Sequence, residues 1–259
     1  MREGVPGVEF HAHGYASGAY GTGKGVRMEL IWQGTKQAVL LLVHGDPEVL
    51  RIMLLSLRVS GIATLLSLLI GIPLGTVLAL SRFPGRGIVI SLVNTGMGLP
   101  PVVVGLFVSI FLWRSGPLGF LELLYTPTAM VLAQLALAAP VVTGLTVAAV
   151  QQLNPRLRMQ LVGLGASRLQ VVYLLLKEAR LPLLAAMMAG FGAVISEIGA
   201  SMMVGGNIYR QTRVLTTATV LETSRGNFDM AIALSLLLML LTFSVNVTLT
   251  WIQQRGRTP

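Results

Sequence analysis

Few residues of this chain have types and spacing that could do chemistry. Gly18 to Gly25 nearly match a glycine-rich phosphate-binding loop, but Gly25 stands where the pattern has the hydroxyl residue that binds magnesium, and no apolar strand leads into the loop. His11 and His13 have no further ligands at metal spacing. Cysteine is absent, which excludes disulfides and thiol catalysis. The sequence thus favours neither a nucleotide site nor an enzyme.

Glu197 is a carboxylate within an otherwise uncharged apolar stretch. A charge inside a membrane span costs about 2.5–3.5 kcal/mol on insertion scales, so such a residue is a candidate for function. Its partners could be the hydroxyls of Ser196 or Ser201, or Arg210 or Arg213 if the chain folds back. It could also help to close a gate, and we expect a structural or gating role.

Four further residues in apolar stretches could contact a polar solute on its way through the membrane: Asn94, Pro100, Pro101 and Gln134. The alternative for the two amides is a hydrogen bond across helices, which is common in membrane spans and contributes about 0.6–2 kcal/mol. Both readings remain open at this point.

The composition indicates the elements that must position these residues. Of 259 residues, 54% are hydrophobic and only 11% charged, whereas soluble domains carry about 25% charged residues. Uncharged runs long enough to cross a bilayer predict five spans. They cover residues 59–81, 87–113, 126–152, 181–204 and 230–252. We therefore expect an all-α integral membrane domain over residues 28–259, after a disordered, glycine-rich extension at 1–27.

The basic residues predict the orientation of the spans. If the first span enters from outside, the inner segments hold Arg82, Arg86, Arg156, Arg158, Arg168, Lys177, Arg180, Arg255 and Arg257. The outer loops then hold only Arg114, Arg210, Arg213 and Arg225. The positive-inside rule therefore favours an outside N-terminus and a cytoplasmic C-terminus. Although the net charge is +9, this distribution points to membrane lipid rather than nucleic acid as the partner of the charges.

Local signals refine this picture. Asp46 and Pro47 predict a helix start. Pro73, Pro140 and the pair Pro100–Pro101 predict kinks rather than helix ends, since membrane helices tolerate proline. Residues 28–44 are too polar to span and predict an interfacial helix. The spacing of Gly71 and Gly75 permits close contact between helices.

The segment 154–180 is the longest polar interruption of the hydrophobic pattern, yet it is rich in aliphatic residues. Gly163 and Gly165 allow a sharp reversal, and Ser167 can cap a following helix. The pattern predicts two short cytoplasmic helices joined at a glycine turn. A helical projection with apolar and basic residues suits docking into a groove of another protein, and the alternative is an amphipathic loop on anionic lipid.

This segment resembles the cytoplasmic coupling loop of ABC-importer permeases. Gly165, Ala166, Ser167 and Arg168 match the centre of the family pattern, whereas residues 159–161 replace its usual Glu-Ala-Ala. The strings NTGMGLPPVVVGL at 94–106 and ISEIGASMMVGGN at 195–207 are similar to permeases of the molybdate and tungstate type, most of all the tungstate type.

The resemblance implies a type I importer permease fold that works as a homodimer in the cytoplasmic (inner) membrane. A cytoplasmic ATPase dimer would dock at Gly165, Ala166, Ser167 and Arg168 and would hold ATP and magnesium, so this chain would carry no cofactor, no metal and no catalytic residue. A periplasmic or lipoprotein oxyanion-binding protein would deliver the cargo.

Tungstate is the expected cargo, with molybdate or sulfate as alternatives. Because each of these is a dianion, Glu197 would repel it, and we expect no direct contact with the cargo. A stand-alone secondary transporter is the alternative from another class, although five spans without internal repetition give it little support. An intramembrane enzyme has still less support, because no metal-ligand pair and no Ser-base arrangement is present in the spans.

Overall fold

The computed structural model describes residues 24–255, and these form helices joined by short loops. A 3-10 turn lies at Gly119–Leu121 between α4 and α5. The helices are α1 (Lys24–Val43), α2 (Pro47–Leu80), α3 (Arg86–Met97), α4 (Pro101–Leu112), α5 (Pro127–Gln151), α6 (Pro155–Gly163), α7 (Arg168–Glu178), α8 (Arg180–Ile195), α9 (Gly199–Gly205), α10 (Leu215–Ser224) and α11 (Phe228–Arg255).

Three helices, α2, α5 and α11, are long and apolar enough to cross a membrane unaided. The predicted span at 230–252 lies within α11, and those at 59–81 and 126–152 extend past the ends of α2 and α5 by a single residue. Asp46 caps α2 as predicted, since its carboxylate accepts hydrogen bonds from the backbone N–H groups of Glu48 and Val49. Pro73 and Pro140 lie inside continuous helices, as expected for proline in a membrane span.

The other two predicted spans are broken helix pairs. The axes of α3 and α4 differ by 102°, and those of α8 and α9 by 58°. The prediction that Pro100 and Pro101 only kink a helix is therefore wrong, because α4 starts anew at Pro101. Two successive prolines offer no N–H to the preceding turn, and the glycine at position 98 ends α3. The second break surrounds Glu197.

The centre of the bundle is the contact between α2 and α5. A β-carbon at Gly71 would lie 2.8 Å from Val142 Cγ1, and one at Gly75 would lie 2.6 Å from Thr146 Cβ. The predicted close approach at these two glycines is thus confirmed. Small residues on one helix let the neighbouring backbone approach closely, which increases van der Waals contact in a membrane.

The first helix, α1, packs against α11 near the start of that helix. A β-carbon at Gly34 would overlap Ile232 of α11, so a side chain there would push the two helices apart. The helix covers residues 28–43 of the segment predicted as interfacial, and it is not among the helices that are long and apolar enough to cross a membrane. Residues 1–23, most of the predicted extension, lie outside the described residues together with the glycine-rich string up to position 23.

Candidate functional site

The segment 154–180 forms the predicted pair of short helices. Asn154 caps α6 by accepting a hydrogen bond from the N–H of Arg156 at 3.0 Å. The turn passes through Gly165, whose φ of +80° is unfavourable for side-chain-bearing residues. The Ser167 hydroxyl then caps α7 by accepting a hydrogen bond from the Gln170 N–H, and the Gln170 side-chain oxygen accepts one from the Ser167 N–H, which completes a capping box. The local sequence alone thus specifies this hairpin.

The hairpin presents an exposed apolar surface, which we call the coupling surface: Met159, Val162, Leu164, Leu169 and Tyr173. Leu164 and Leu169 flank the turn and are 85% and 84% exposed. On the opposite side of α7, Val171 and Leu175 are buried and anchor the helix. An exposed apolar cluster of this kind on a helical projection is typical of a protein interaction site.

The base of the hairpin is joined to the ends of two spans. Arg158 donates a hydrogen bond to the carbonyl of Leu80 at the end of α2, at 3.4 Å. The second span is reached through the chain itself, because α7 ends at Glu178 and α8 begins at Arg180. Movement of the hairpin would therefore reach α2 and α8 directly.

The predicted pathway residues fall into two groups. Asn94, Pro100 and Pro101 are exposed on the surface of the chain around the α3–α4 break. Gln134 is buried, and its Nε2 donates to Ser201 Oγ at 3.4 Å, which links it to the Glu197 region. The cross-helix alternative therefore holds for Gln134, whereas Asn94 faces outward from the chain.

Glu197 is buried and lies at the start of α9. Its Oε1 accepts a hydrogen bond from the N–H of Ala200 at 2.6 Å, and its Oε2 accepts from the N–H and the hydroxyl of Ser201, both at 2.9 Å. The carboxylate thus caps the positive end of a helix. Of the partners predicted for it, Ser201 is present.

The other predicted partners bind elsewhere. Ser196 is exposed and donates to the carbonyl of Gly192 in its own helix. Arg213 lies 3.9 Å from Glu48, and the guanidinium of Arg210 stacks on Tyr209. The helix α10 also contacts Glu197, because the Thr216 hydroxyl donates a hydrogen bond to the backbone carbonyl of Glu197. This last contact has no local signal in the sequence.

The two helix breaks lie side by side. A β-carbon at Gly199 would be 2.6 Å from Val102 Cγ2, and one at Gly105 would be 2.6 Å from the Cα of Ala200. The short helices α4 and α9 therefore pack backbone to backbone, and their amino ends are adjacent. The end of α9 is capped by Glu197, whereas the end of α4 has no side-chain cap. Sequence reasoning missed this contact, although the two glycines were a weak signal for it.

Comparisons with known proteins agree with this architecture. Residues 71–258 match the family described as "Binding-protein-dependent transport system inner membrane component". The tungstate uptake system permease protein TupB of Peptoclostridium acidaminophilum is 40% identical over 88% of this chain and 100% of its own length. The molybdenum transport system permease protein ModB of Escherichia coli K12 is 30% identical over 70% of this chain and 83% of its own length.

A solved structure shares the fold. The bacterial alginate ABC transporter, determined in complex with an alginate pentasaccharide-bound periplasmic protein, contains a chain with a TM-score of 0.73 at 18% identity. The match covers 90% of this chain and 89% of that one. The expected all-α, type I importer permease fold is therefore confirmed, and this multi-pass membrane chain belongs to the family of binding-protein-dependent transport system inner membrane components.

Proposed function

We propose that the chain is the permease subunit of an ATP-driven importer that carries tungstate into the cytoplasm. The observation that carries this proposal is the coupling surface, since an exposed apolar hairpin fixed to two spans is suited to receive force from a partner. The identity of 40% with a tungstate permease over almost the whole chain supports the cargo.

The partners follow from the same reasoning. A dimer of separate ATPase chains, which bind ATP and magnesium, docks on the coupling surface of a permease homodimer. An oxyanion-binding protein delivers tungstate on the other side, much as the alginate transporter was determined with a periplasmic protein. With the hairpin in the cytoplasm, the C-terminus is cytoplasmic and the N-terminus lies outside, in line with the distribution of basic residues.

The cargo passes the break between α3 and α4. Asn94 offers an exposed amide there. Pro100 and Pro101 keep the break in place, because α4 starts anew at Pro101. Glu197 acts beside the pathway, because it neutralises the adjacent end of α9 and would repel a dianion.

Substitution of Gly165 tests the docking of the ATPase. A β-carbon at Gly165 meets no atom within 4 Å inside the chain, although the φ of +80° strains any side-chain-bearing residue there. Because the turn is exposed, we expect Gly165→Trp to strain only the turn, to insert in the membrane and to obstruct the partner. We expect normal membrane levels and loss of ATP hydrolysis stimulated by the loaded binding protein.

The matched control is Gly165→Ala, because alanine suffers the same strain at a φ of +80° but adds little bulk. It should keep most of the stimulation. Full stimulation in the tryptophan variant would overturn the docking site. Isothermal titration of the binding protein with tungstate, molybdate and sulfate decides the cargo, and preference for molybdate or sulfate would replace tungstate.

A further inference from the structure

A cavity lies at the end of the bundle opposite the hairpin of α6 and α7. It measures about 550 Å³ and is bounded by α1, α2, α10, α11 and the loop between α9 and α10. The helix α2 begins at this cavity and ends at the hairpin, 34 residues later. At 1.5 Å per residue the two sites are about 50 Å apart, so the cavity lies at the opposite membrane surface.

The floor and rim of the cavity differ in chemistry. The floor is apolar and includes Val49, Ile52 and Leu234. The rim carries charges of both signs: Asp46, Glu48, Arg213, Glu222 and Arg225. Exposed apolar residues lie close by in sequence, among them Val43, Leu50 and Phe228. An apolar floor under a charged rim is the arrangement expected where protein meets the boundary between hydrocarbon and water.

The carboxylates of the rim are already engaged. Glu48 accepts a hydrogen bond from the Tyr209 hydroxyl at 2.7 Å. Asp46 caps α2. Glu222 accepts hydrogen bonds from Arg225 at 3.1 Å and from Asn227 at 2.9 Å.

Unlike these carboxylates, the guanidinium of Arg213 on the rim is not held by a hydrogen bond to a neighbouring carboxylate. Its side chain lines the cavity and is 16% exposed, and its Nη1 lies 3.9 Å from the nearest carboxylate oxygen, on Glu48, which is too far for a hydrogen bond. A buried guanidinium donor without an acceptor is costly. A phosphate oxygen is the natural acceptor for arginine.

We propose that this cavity binds a zwitterionic phospholipid of the phosphatidylethanolamine type. Its phosphate accepts the hydrogen bond from Arg213, its ammonium group lies near the rim carboxylates, and an acyl chain covers the apolar floor. A free oxyanion fits less well, because three carboxylates surround the two arginines and an inorganic ion leaves the floor uncovered. The inference requires only a membrane location and does not depend on tungstate as cargo.

Native mass spectrometry of the full-length chain tests the proposal. The delipidated protein is titrated with phosphatidylethanolamine, with phosphatidylglycerol and with inorganic phosphate. We expect one tightly retained phosphatidylethanolamine per chain, and Arg213→Gln should weaken its binding about tenfold because a charge-assisted hydrogen bond to phosphate is lost.

The matched control is Arg210→Gln. Both guanidiniums stack on the Tyr209 ring, at 5.1 Å for Arg210 and 5.3 Å for Arg213, but only Arg213 lines the cavity. The control should retain the lipid as the wild type does. If Arg213→Gln does not fold, Arg225→Glu serves instead, because that side chain is 59% exposed and the reversed charge should likewise release the lipid.

Two results would overturn the proposal. The first is unchanged lipid retention in a folded Arg213→Gln variant; if that variant also loses stimulation by the binding protein, the surface is assigned to the binding protein. The second is an Arg213-dependent binding of inorganic phosphate without retention of lipid, which would make this a site for free anions.

Discussion

At the scale of single residues, Glu197 shows how a carboxylate in an apolar span is stabilised by its own chain. Three hydrogen bonds reach its two oxygens from the first turn of α9. Charge-assisted hydrogen bonds at a helix start compensate for part of the lost hydration. These hydrogen bonds join the carboxylate to the helix on the far side of the bend between α8 and α9, and we therefore expect Glu197 to stabilise that bend.

Replacement of Glu197 should harm stability more than cargo binding. Glu197→Ala leaves buried donors of Ala200 and Ser201 without acceptors, at a cost of about 1–3 kcal/mol. We expect a lower midpoint of thermal unfolding in detergent, followed by tryptophan fluorescence, and impaired assembly or coupling.

The control for this experiment is Ser196→Ala, whose hydroxyl bonds only to its own helix and whose loss should change the midpoint little. An unchanged midpoint in Glu197→Ala, together with an altered apparent affinity for the cargo, would instead place the carboxylate in contact with the transported ion.

At the scale of elements, the sequence predicts what local chemistry determines. The hairpin of α6 and α7 is predictable because Gly165 forms its turn and Ser167 caps α7 within a few residues of each other. The break at Pro100–Pro101 was predicted only as a kink. A run of apolar residues shows that a segment is long enough to span a membrane, but it does not show whether the helix axis changes direction within that segment. The contact of Thr216 with the Glu197 carbonyl joins residues 19 apart through tertiary packing, so no local pattern could reveal it.

The contact between α4 and α9 should tolerate no added methyl group. In Gly105→Ala, the new Cβ would lie 2.6 Å from the Cα of Ala200, a backbone atom that can move only with its helix. Overpacking of this kind costs about 1–3 kcal/mol. We expect a lower thermal midpoint and reduced transport, because the two short helices are forced apart.

Gly192→Ala in α8 is the matched control, since a β-carbon there meets no atom within 4 Å. This variant should be as stable as the wild type or slightly more stable, because alanine favours helix. Equal midpoints for the two variants would show that the α4–α9 contact does not limit stability.

At the scale of the whole molecule, the orientation can be tested directly because the chain has no cysteine. Ser115 lies in the loop before α5, and Leu164 lies in the turn between α6 and α7. The whole of α5 therefore lies between these two residues in the chain. Both side chains are exposed. A membrane-impermeant maleimide added to intact cells should label Ser115→Cys, and should label Leu164→Cys only after permeabilisation. The reverse pattern would invert the proposed topology.

The energy source is the last property of the whole molecule that can be tested. Importing a dianion against a potential of 100 mV, negative inside, costs about 4.6 kcal/mol from the two charges alone, so a passive pathway would exclude tungstate rather than accumulate it. We expect the chain reconstituted alone in vesicles to accumulate no tungstate. Accumulation should appear with the ATPase, the binding protein and ATP, and should be lost again with Gly165→Trp. Uphill uptake by the chain alone, driven by an ion gradient, would instead identify a secondary transporter.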